Sequence, residues 1–392
     1  MISRLGFKHT IVASYIGYFT QSILVCFVPL LFVNFNQNYD ISLTQITSLI
    51  TINFIVQLFT DFVASKIVDK IGYKPCVITA HILSALGLVC LAFLPSIFPP
   101  YIGLVISVII YAIGGGLIEV LISPIVEACP SDNKSSSMSL LHSFYCWGVV
   151  ATIVLSTLFF ELFSVKNWQI LACIWALVPL FNSVYFYFVP INTLVSNDDR
   201  LSIKNLFKTK NFWLFIVLMM SAGASEQAMS QWSSAFAESG LAISKTLGDL
   251  LGPCLFAILM GVSRVFYAKF SEKIDLEWFI VGSAVLCVIS YLITSLSPLP
   301  ILSLISCGIC GLAVGIMWPG TLSVASKTIT NGGTTMFAYL ALAGDLGCAL
   351  GPTVVGGVSS LFGGNLLVGI LFAIIFPVIT IVSILFFKKN KQ

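Results

Sequence analysis

The chain has 392 residues, of which 58% are hydrophobic and only 9% are charged. Soluble domains carry about 25% charged residues, so this chain has too little charge to cover a surface that faces water. The mean hydropathy of +1.02 agrees with that deficit. The composition therefore excludes a soluble protein and indicates that lipid surrounds most of the chain.

Twelve apolar stretches are each long enough to cross a bilayer, which takes about 20 apolar residues. The first is too long for a cleavable signal peptide, so we expect the chain to keep it. The sequence predicts an all-α membrane protein of twelve transmembrane helices. The predicted spans cover residues 9–33, 44–68, 75–96, 99–128, 136–161, 168–190, 211–236, 246–269, 277–297, 299–326, 334–361 and 365–387.

Positive residues lie almost entirely on one side of these spans. Of the 19 Lys and Arg residues, only Lys166 and Lys245 fall on the other side, which gives a split of 17 to 2. Positive residues near span ends are retained in the cytoplasm. We therefore expect a multi-pass protein of the plasma membrane with both termini in the cytoplasm.

The longest polar stretch, residues 191–210, follows six spans and precedes six more. Loop sequences repeat on either side of it at nearly one offset: KIVDKI at 66–71 matches KFSEKI at 269–274, and SSM at 136–138 matches TTM at 334–336. Repeated loops are typical of duplicated transporter halves. We expect two pseudo-symmetric six-helix halves, 1–190 and 211–392, joined by a cytoplasmic linker at 191–210.

The loop after span 2 reads SKIVDKIGYK (65–74) and resembles the cytoplasmic signature of the major facilitator superfamily. It departs from that signature at Ser65, where the family usually has glycine. GLIEVLISP (116–124) in span 4 and SLLHSFYCWG (139–148) in span 5 are similar to the fucose:proton symporter branch of the same superfamily. The resemblance extends over the whole chain at the level of the fold, but specific motif matches occur only in these segments.

This resemblance implies roles for particular residues. Glu119 would be the proton-carrying acid of span 4, and His142 and Tyr145 would face the substrate path. Asp69 would help to hold the cytoplasmic gate shut, because a carboxylate at a helix end bonds free amides and basic residues. Sugar symporters of the branch often place an acid on span 1, whereas this chain offers Gln21 there among uncharged polar residues.

An ionisable side chain at the centre of a bilayer costs about 2.5–3.5 kcal/mol, so each one needs a partner or a task. Glu119 and His142 lie at similar depth in successive spans, where a carboxylate and an imidazole can share a proton. Asp345 stands among glycines in span 11 and is a third candidate for proton coupling. For all three, a structural bond between helices is the alternative. The other ionisable residues in or near the spans are His81, Glu127 and Glu226, with Asp61 and Arg264 nearer the predicted cytoplasmic ends.

Span 7 contains SAGASEQAMSQWSSAF (221–236), which is too polar to face lipid. Amides, hydroxyls and one aromatic face suit a sugar, whose hydroxyls need donors and acceptors and whose C–H faces stack on rings. A polar seam between helices is the alternative. The predicted substrate-binding residues are Gln21, Asn53, Gln57, Tyr145, Glu226, Gln227, Gln231, Trp232 and Trp318, and the predicted gating residues are Asp69, Lys70, Glu127 and Glu272.

These patterns predict a secondary active transporter that imports a sugar or similar small polar solute with a proton, by alternating access. A proton-driven antiporter that exports drugs or metabolites is the alternative, although the glycine-proline string typical of span 5 in such exporters stands in span 11 here. We expect no enzyme, since HExxH, GxSxG and nucleotide-binding patterns are missing from the sequence. We also expect no cofactor, metal or nucleic acid, and a monomer whose partners are the solute, the proton and lipid.

Overall fold

The computed structural model describes residues 5–39, 41, 43–192, 201–231, 233, 250–363 and 365–391. Within these ranges all regular secondary structure is helical. Twelve helical segments of the described chain are long and apolar enough to cross a membrane. The predicted all-α fold with twelve transmembrane helices is therefore confirmed.

The helices follow the apolar runs, and polar or proline residues mark several helix starts. Pro100 and Pro300 open two helices, where a missing N–H costs nothing. In chain order the helices are α1 Phe7–Cys26, α2 Phe32–Tyr39, α3 Leu43–Ile71, α4 Tyr73–Ile97, α5 Pro100–Ala128, α6 Lys134–Phe163, α7 Trp168–Phe188, α8 Ile203–Lys208, α9 Lys210–Ser230, α10 Leu255–Phe270, α11 Leu276–Leu296, α12 Pro300–Val314, α13 Met317–Thr328, α14 Gly333–Leu361, α15 Leu366–Phe372 and α16 Ile375–Lys391.

Three spans predicted as single helices are interrupted. The first span changes from α1 to a 3₁₀ turn at Val28–Leu31, which contains a proline. The tenth span divides into α12 and α13, and the twelfth divides into α15 and α16. The seventh span, predicted to reach residue 236, ends as a described helix at Ser230. Apolar content alone does not show such breaks, because they leave the hydropathy unchanged.

The chain forms two compact units. The first comprises Met1–Pro130 and Trp147–Ser196, and so contains α1 to α5, the later part of α6, and α7. Within it α5 packs against α1, α3 and α4, while α4 also packs against α7. Its core is made of large apolar side chains such as Phe27, Phe35 and Trp168.

The second unit comprises Ser131–Cys146 and Asn197–Gln392, and so contains the start of α6 together with α8 to α16. Within it α9 packs along α14 and α16, and α12 packs against α10 and α11. Gly347 of α14 lies against the Met220 carbonyl, where an added Cβ would not fit. The division into halves at the linker stays a prediction, since residues 131–146 group with the second unit.

One buried histidine has a structural role in the first unit. His81 of α4 is fully buried, and its Nδ1 lies 2.8 Å from the Val77 carbonyl, which can only accept. Nδ1 therefore carries the proton, and Nε2 accepts from Asn182 Nδ2 of α7 at 2.8 Å. The Asn182 amide also donates to the Ala13 carbonyl of α1 at 2.9 Å. This network ties α1, α4 and α7 together.

Candidate functional site

The first unit brings a predicted proton carrier and a predicted binding residue into contact. Gln21 of α1 donates from Nε2 to Glu119 Oε2 of α5 at 3.2 Å. Gln21 is 3% exposed, whereas Glu119 is only partly buried. Span 1 carries no acid, and the structure shows that an amide from that span meets the span 4 acid instead.

Gly115, one turn before Glu119, makes room for this contact. An added Cβ at residue 115 would lie 2.8 Å from Gln21 Oε1 and 2.9 Å from Gln57 Nε2, closer than side chains tolerate. The missing side chain thus lets two amides, from α1 and from α3, reach the surface of α5. Both amides were predicted from the sequence as binding residues, whereas the glycine that makes room for them was not.

Several amide atoms of this cluster are buried without a hydrogen bond. They are Gln21 Oε1, Gln57 Nε2 and Asn53 Oδ1, the last of these one turn before Gln57 on α3. A buried polar atom without a partner costs about 1–3 kcal/mol, so such atoms usually serve a purpose. Two acceptors and a donor beside an acid match the hydroxyl groups of a polar solute, which both donate and accept.

A second carboxyl group lies in the same helices. Asp61 of α3 is fully buried, and an added Cβ on Gly116 would lie 3.2 Å from its Oδ1. Asp61 therefore packs against α5 next to the glycine that receives the amides. Sequence analysis located Asp61 near a span end and did not include it among the proton-coupling candidates. Its position four residues after Gln57 and eight after Asn53, on the same face of the helix, was the available signal.

The second unit contains a buried ion pair. Glu226 of α9 and Arg264 of α10 approach to 3.6 Å between Oε2 and Nη2, with side chains 12% and 3% exposed. Gln227 donates from Nε2 to Glu226 Oε1 at 3.4 Å. The structure thus joins two of the predicted binding residues to an arginine that sequence analysis had placed nearer a span end.

The other donors of Arg264 are held by neighbouring helices. Nε donates to the Gly315 carbonyl at 2.7 Å, and Nη1 donates to the His142 carbonyl at 2.8 Å. Nη1 also lies 3.0 Å from Cys146 Sγ. The guanidinium is therefore fixed by acceptors on the start of α6 and between α12 and α13. For His142, the described contact to Arg264 involves the backbone, and its predicted role in proton coupling stays a prediction.

The sequence around span 10 explains why the Gly315 carbonyl is available. Residue 319 would supply the N–H that bonds this carbonyl in a continuous helix, but it is Pro319 and has no N–H. The helix is accordingly interrupted at 315–316. Arg264 bonds the carbonyl that the proline leaves open. Trp318, predicted from this Trp-Pro pair, is 8% exposed and packs against Gly344 of α14.

The remaining predicted residues have varied positions. Asp345 of α14 is 4% exposed, and Tyr145 is partly buried. Gln231 is an exposed residue that follows Ser230 as the C-cap of α9. Trp232 lies outside the described residues. The roles assigned to these four residues stay predictions.

The predicted gating residues have few described contacts. Lys70 and Glu272 are exposed, Glu127 is partly buried near the end of α5, and the Asp69 side chain lies outside the described part of the structure. Their gating role stays a prediction.

A set of uncharged bonds joins the start of α6 to the last turns of α10, both in the second unit, and these bonds were not predicted from the sequence. Asn133 Nδ2 donates to Ser271 Oγ at 3.0 Å. Two serines of α6 donate to backbone carbonyls of α10, Ser136 to Ala268 at 2.5 Å and Ser139 to Arg264 at 2.7 Å. The SSSMS run was the available signal, since serines at successive turns share one helix face.

Comparison with solved structures shows the same fold in known transporters. The fucose:proton symporter FucP of E. coli superposes with a TM-score of 0.79 at 14% identity, covering 97% of this chain and 98% of that one. The proton:xylose symporter XylE gives 0.80 at 14% identity, with coverage of 97% and 95%. The human organic anion transporter MFSD10 gives 0.72 at 13% identity, with coverage of 96% and 99%. Identities this low support the fold and not the substrate.

Comparison at the level of sequence gives the family. No curated protein sequence matches the chain. The family model of the Major Facilitator Superfamily matches residues 10–352, which is most of its length. The expected resemblance is thereby confirmed at the level of the superfamily. The chain belongs to the major facilitator superfamily, a family of membrane transporters.

Proposed function

We propose that this transporter moves a small polar solute together with a proton, by alternating access between two six-helix halves. The observation that carries the proposal is the contact between Gln21 and Glu119 beside amide atoms that have no hydrogen bond. A carboxyl group that binds and releases a proton changes the acceptors that it offers, so the proton and the solute become linked at one cluster. The symporters FucP and XylE, which share the fold, support the proposal.

Proton coupling requires that Glu119 be charged in one state and neutral in another. Gln21 donates to the carboxylate, and the unbonded Gln21 Oε1 is an acceptor for a solute hydroxyl. When Glu119 is protonated, its own O–H becomes a donor and the cluster offers a different set of bonds. Release of the proton on the other side of the membrane would then favour release of the solute.

The test is uptake into proteoliposomes that contain the purified protein. A labelled hexose should enter faster when the outside is more acidic than the inside, with sodium replaced by potassium. Glu119→Gln should lose the part of the uptake that depends on the gradient. Glu161→Gln is the matched control, because Glu161 is exposed near the end of α6. Gradient-driven uptake that survives in Glu119→Gln would exclude Glu119 as the proton carrier.

Export of an organic anion or drug in exchange for protons is the second candidate. It is favoured by the buried Arg264 and by the fold shared with the organic anion transporter MFSD10. The direction of flux separates the two candidates, since an antiporter accumulates solute on the side with more protons and a symporter on the opposite side. The same proteoliposomes answer this question when the gradient is reversed.

The arrangement in the membrane is also a proposal. The 17 to 2 split of positive residues supports cytoplasmic termini in the plasma membrane, and the repeated loop sequences support halves at 1–190 and 211–392. We further propose that the protein works as a monomer. Labelling of single cysteines introduced at Lys166 and Lys204 in intact cells tests the orientation: the first should react with an impermeant reagent and the second should not.

A further inference from the structure

The ion pair of the second unit is unusually loose for a buried one. Charge-assisted bonds between a guanidinium and a carboxylate are typically about 2.7–2.9 Å and often bidentate. Here one oxygen of Glu226 faces one nitrogen of Arg264 at 3.6 Å, and among the described residues the other oxygen is bonded by Gln227 alone, at 3.4 Å. The carboxylate compensates the charge of the arginine without being firmly bound to it.

The arginine, in contrast, is fixed without help from Glu226. Its Nε and Nη1 bond the carbonyls of Gly315 and His142, and these acceptors belong to the backbone. Nη2 is the nitrogen that faces the carboxylate. A guanidinium cannot lose its proton in a protein, so Arg264 keeps its charge and its position whatever happens to Glu226.

The two partners differ in accessibility. Glu226 keeps 12% of its side-chain surface exposed and Arg264 only 3%. Glu226 is therefore the more accessible partner, and Arg264 is the more deeply enclosed one. A buried cation requires an anionic partner, and a site with fixed donors binds an exchangeable anion at little cost in ordering.

From this geometry we infer that Arg264 is a receptor for a carboxylate on the transported solute, and that Glu226 occupies this position when no solute is bound. When the solute carboxylate takes the place at Nη2, Glu226 is neutralised by one proton. The charge is the same before and after, since the pair of Arg264⁺ and Glu226⁻ becomes Arg264⁺ and a solute carboxylate beside a neutral Glu226. One proton therefore accompanies each carboxylate.

The inference rests on the proposed function and narrows its substrate class to polyhydroxylated acids such as sugar acids. Gln227, which already donates to Glu226, is placed to donate to a hydroxyl or to the carboxylate of such a solute. A pair that only joined α9 to α10 would show neither a preference for acids nor a dependence of that preference on pH.

Other charged and titratable groups of the second unit lie on the helices around Glu226. Among the described residues, Arg264 is the cation that faces Glu226, and the lysines of α13 and α16 lie in the last turns of those helices. The buried titratable groups described on the helices around α9 and α10 are His142 and Cys146 of α6, Cys287 and Tyr291 of α11, Cys307 and Cys310 of α12, and Asp345 and Cys348 of α14. The variants below separate Glu226 from these neighbours.

The test compares acids with neutral partners of the same shape. D-galacturonate is matched with D-galactose, and D-gluconate with D-sorbitol, and binding to the purified protein is measured by calorimetry at about pH 5 and about pH 8. At least one acid should bind the wild type about tenfold more tightly at the lower pH than at the higher. Glu226→Gln should bind that acid tightly at both values. Arg264→Gln should bind acid and neutral partner equally.

Removing one member of a buried pair can impair folding, so the double variant Glu226→Gln with Arg264→Gln is included. It carries no buried charge at this site and should elute as a monodisperse protein that does not prefer acids. The inference is overturned if both the wild type and Glu226→Gln bind neither acid more tightly than its neutral partner. Gradient-driven uptake of neutral hexoses with no preference for acids would support the proposed function and contradict only the anion site at Arg264.

Discussion

Gly115→Ala should separate the amides of Gln21 and Gln57 from α5 and so weaken proton coupling, with minimal change to the helices. The added Cβ would lie 2.8 Å from Gln21 Oε1 and 2.9 Å from Gln57 Nε2, whereas ordinary contacts begin near 3.4 Å. Both amides must therefore move away from α5 by about 0.5 Å. Glu119 is on α5, so its bond to Gln21, already 3.2 Å long, is lost.

The magnitude follows from the kind of bond that breaks. A hydrogen bond to a charged group is worth about 1.5–3 kcal/mol, which corresponds to a factor of about ten to a hundred in the gradient-driven rate if the bond supports coupling. Stability should not fall. Alanine is favoured over glycine in a helix by about 1 kcal/mol, and the displaced atoms are the ends of flexible side chains.

The assay is proton-driven uptake in proteoliposomes, with thermal unfolding measured on the same preparations. Gly282→Ala is the matched control, because Gly282 is inside α11 and, apart from the adjacent backbone of α11 itself, no atom lies within 4 Å of the Cβ that would be added there. Uptake by Gly115→Ala at the level of Gly282→Ala would refute the reasoning. A large loss of stability in Gly115→Ala would show that the substitution disturbs helix packing instead.

Three further outcomes are expected. Asn182→Leu removes two buried hydrogen bonds and should lower the free energy of unfolding by about 2–4 kcal/mol, measured by denaturant titration, with uptake per folded molecule unchanged. The backbone N–H of Trp278 donates to Asp275 Oδ1 at the start of α11 and, with the nearby Lys388, holds the pKa of that carboxyl below its ordinary value. The stability from this cap is present at neutral pH and should fade below about pH 4, and Asp275→Asn should remove that dependence in thermal scans. The pair Asn133→Cys with Ser271→Cys should form a cross-link under mild oxidation that stops uptake until it is reduced, and neither single variant should do so.

The twelve spans were predictable because the requirement of lipid is local: each run must be apolar over about 20 residues. The predicted start and end of α5 fall within a residue of Pro100 and Ala128. The breaks were harder to predict, because the chain stays apolar through them. At residues 315–316 the interruption depends on Pro319 together with an arginine from another helix, which takes the freed carbonyl.

Contacts between distant residues explain the rest of the difference. Gln21 and Glu119 are 98 positions apart, and their spans reveal only that each residue is polar. The sequence predicts Arg264 as a charge near the end of a span, whereas in the structure it is buried beside Glu226. Helix rotation and packing decide which polar residues of neighbouring helices meet. Patterns in a single sequence carry little information on either.

Apart from the buried bonds of Arg264 to the His142 carbonyl and to Cys146 Sγ, the described bonds that join the start of α6 to α10 involve hydroxyls, an amide and backbone carbonyls, which carry no formal charge. Ionic strength screens interactions between exposed charges, but it has little effect on neutral hydrogen bonds. An attachment of this kind keeps the same strength in dilute and concentrated salt. If α6 and α10 separate during transport, the rate of that step should be insensitive to ionic strength, a useful property for a protein whose bathing solution changes.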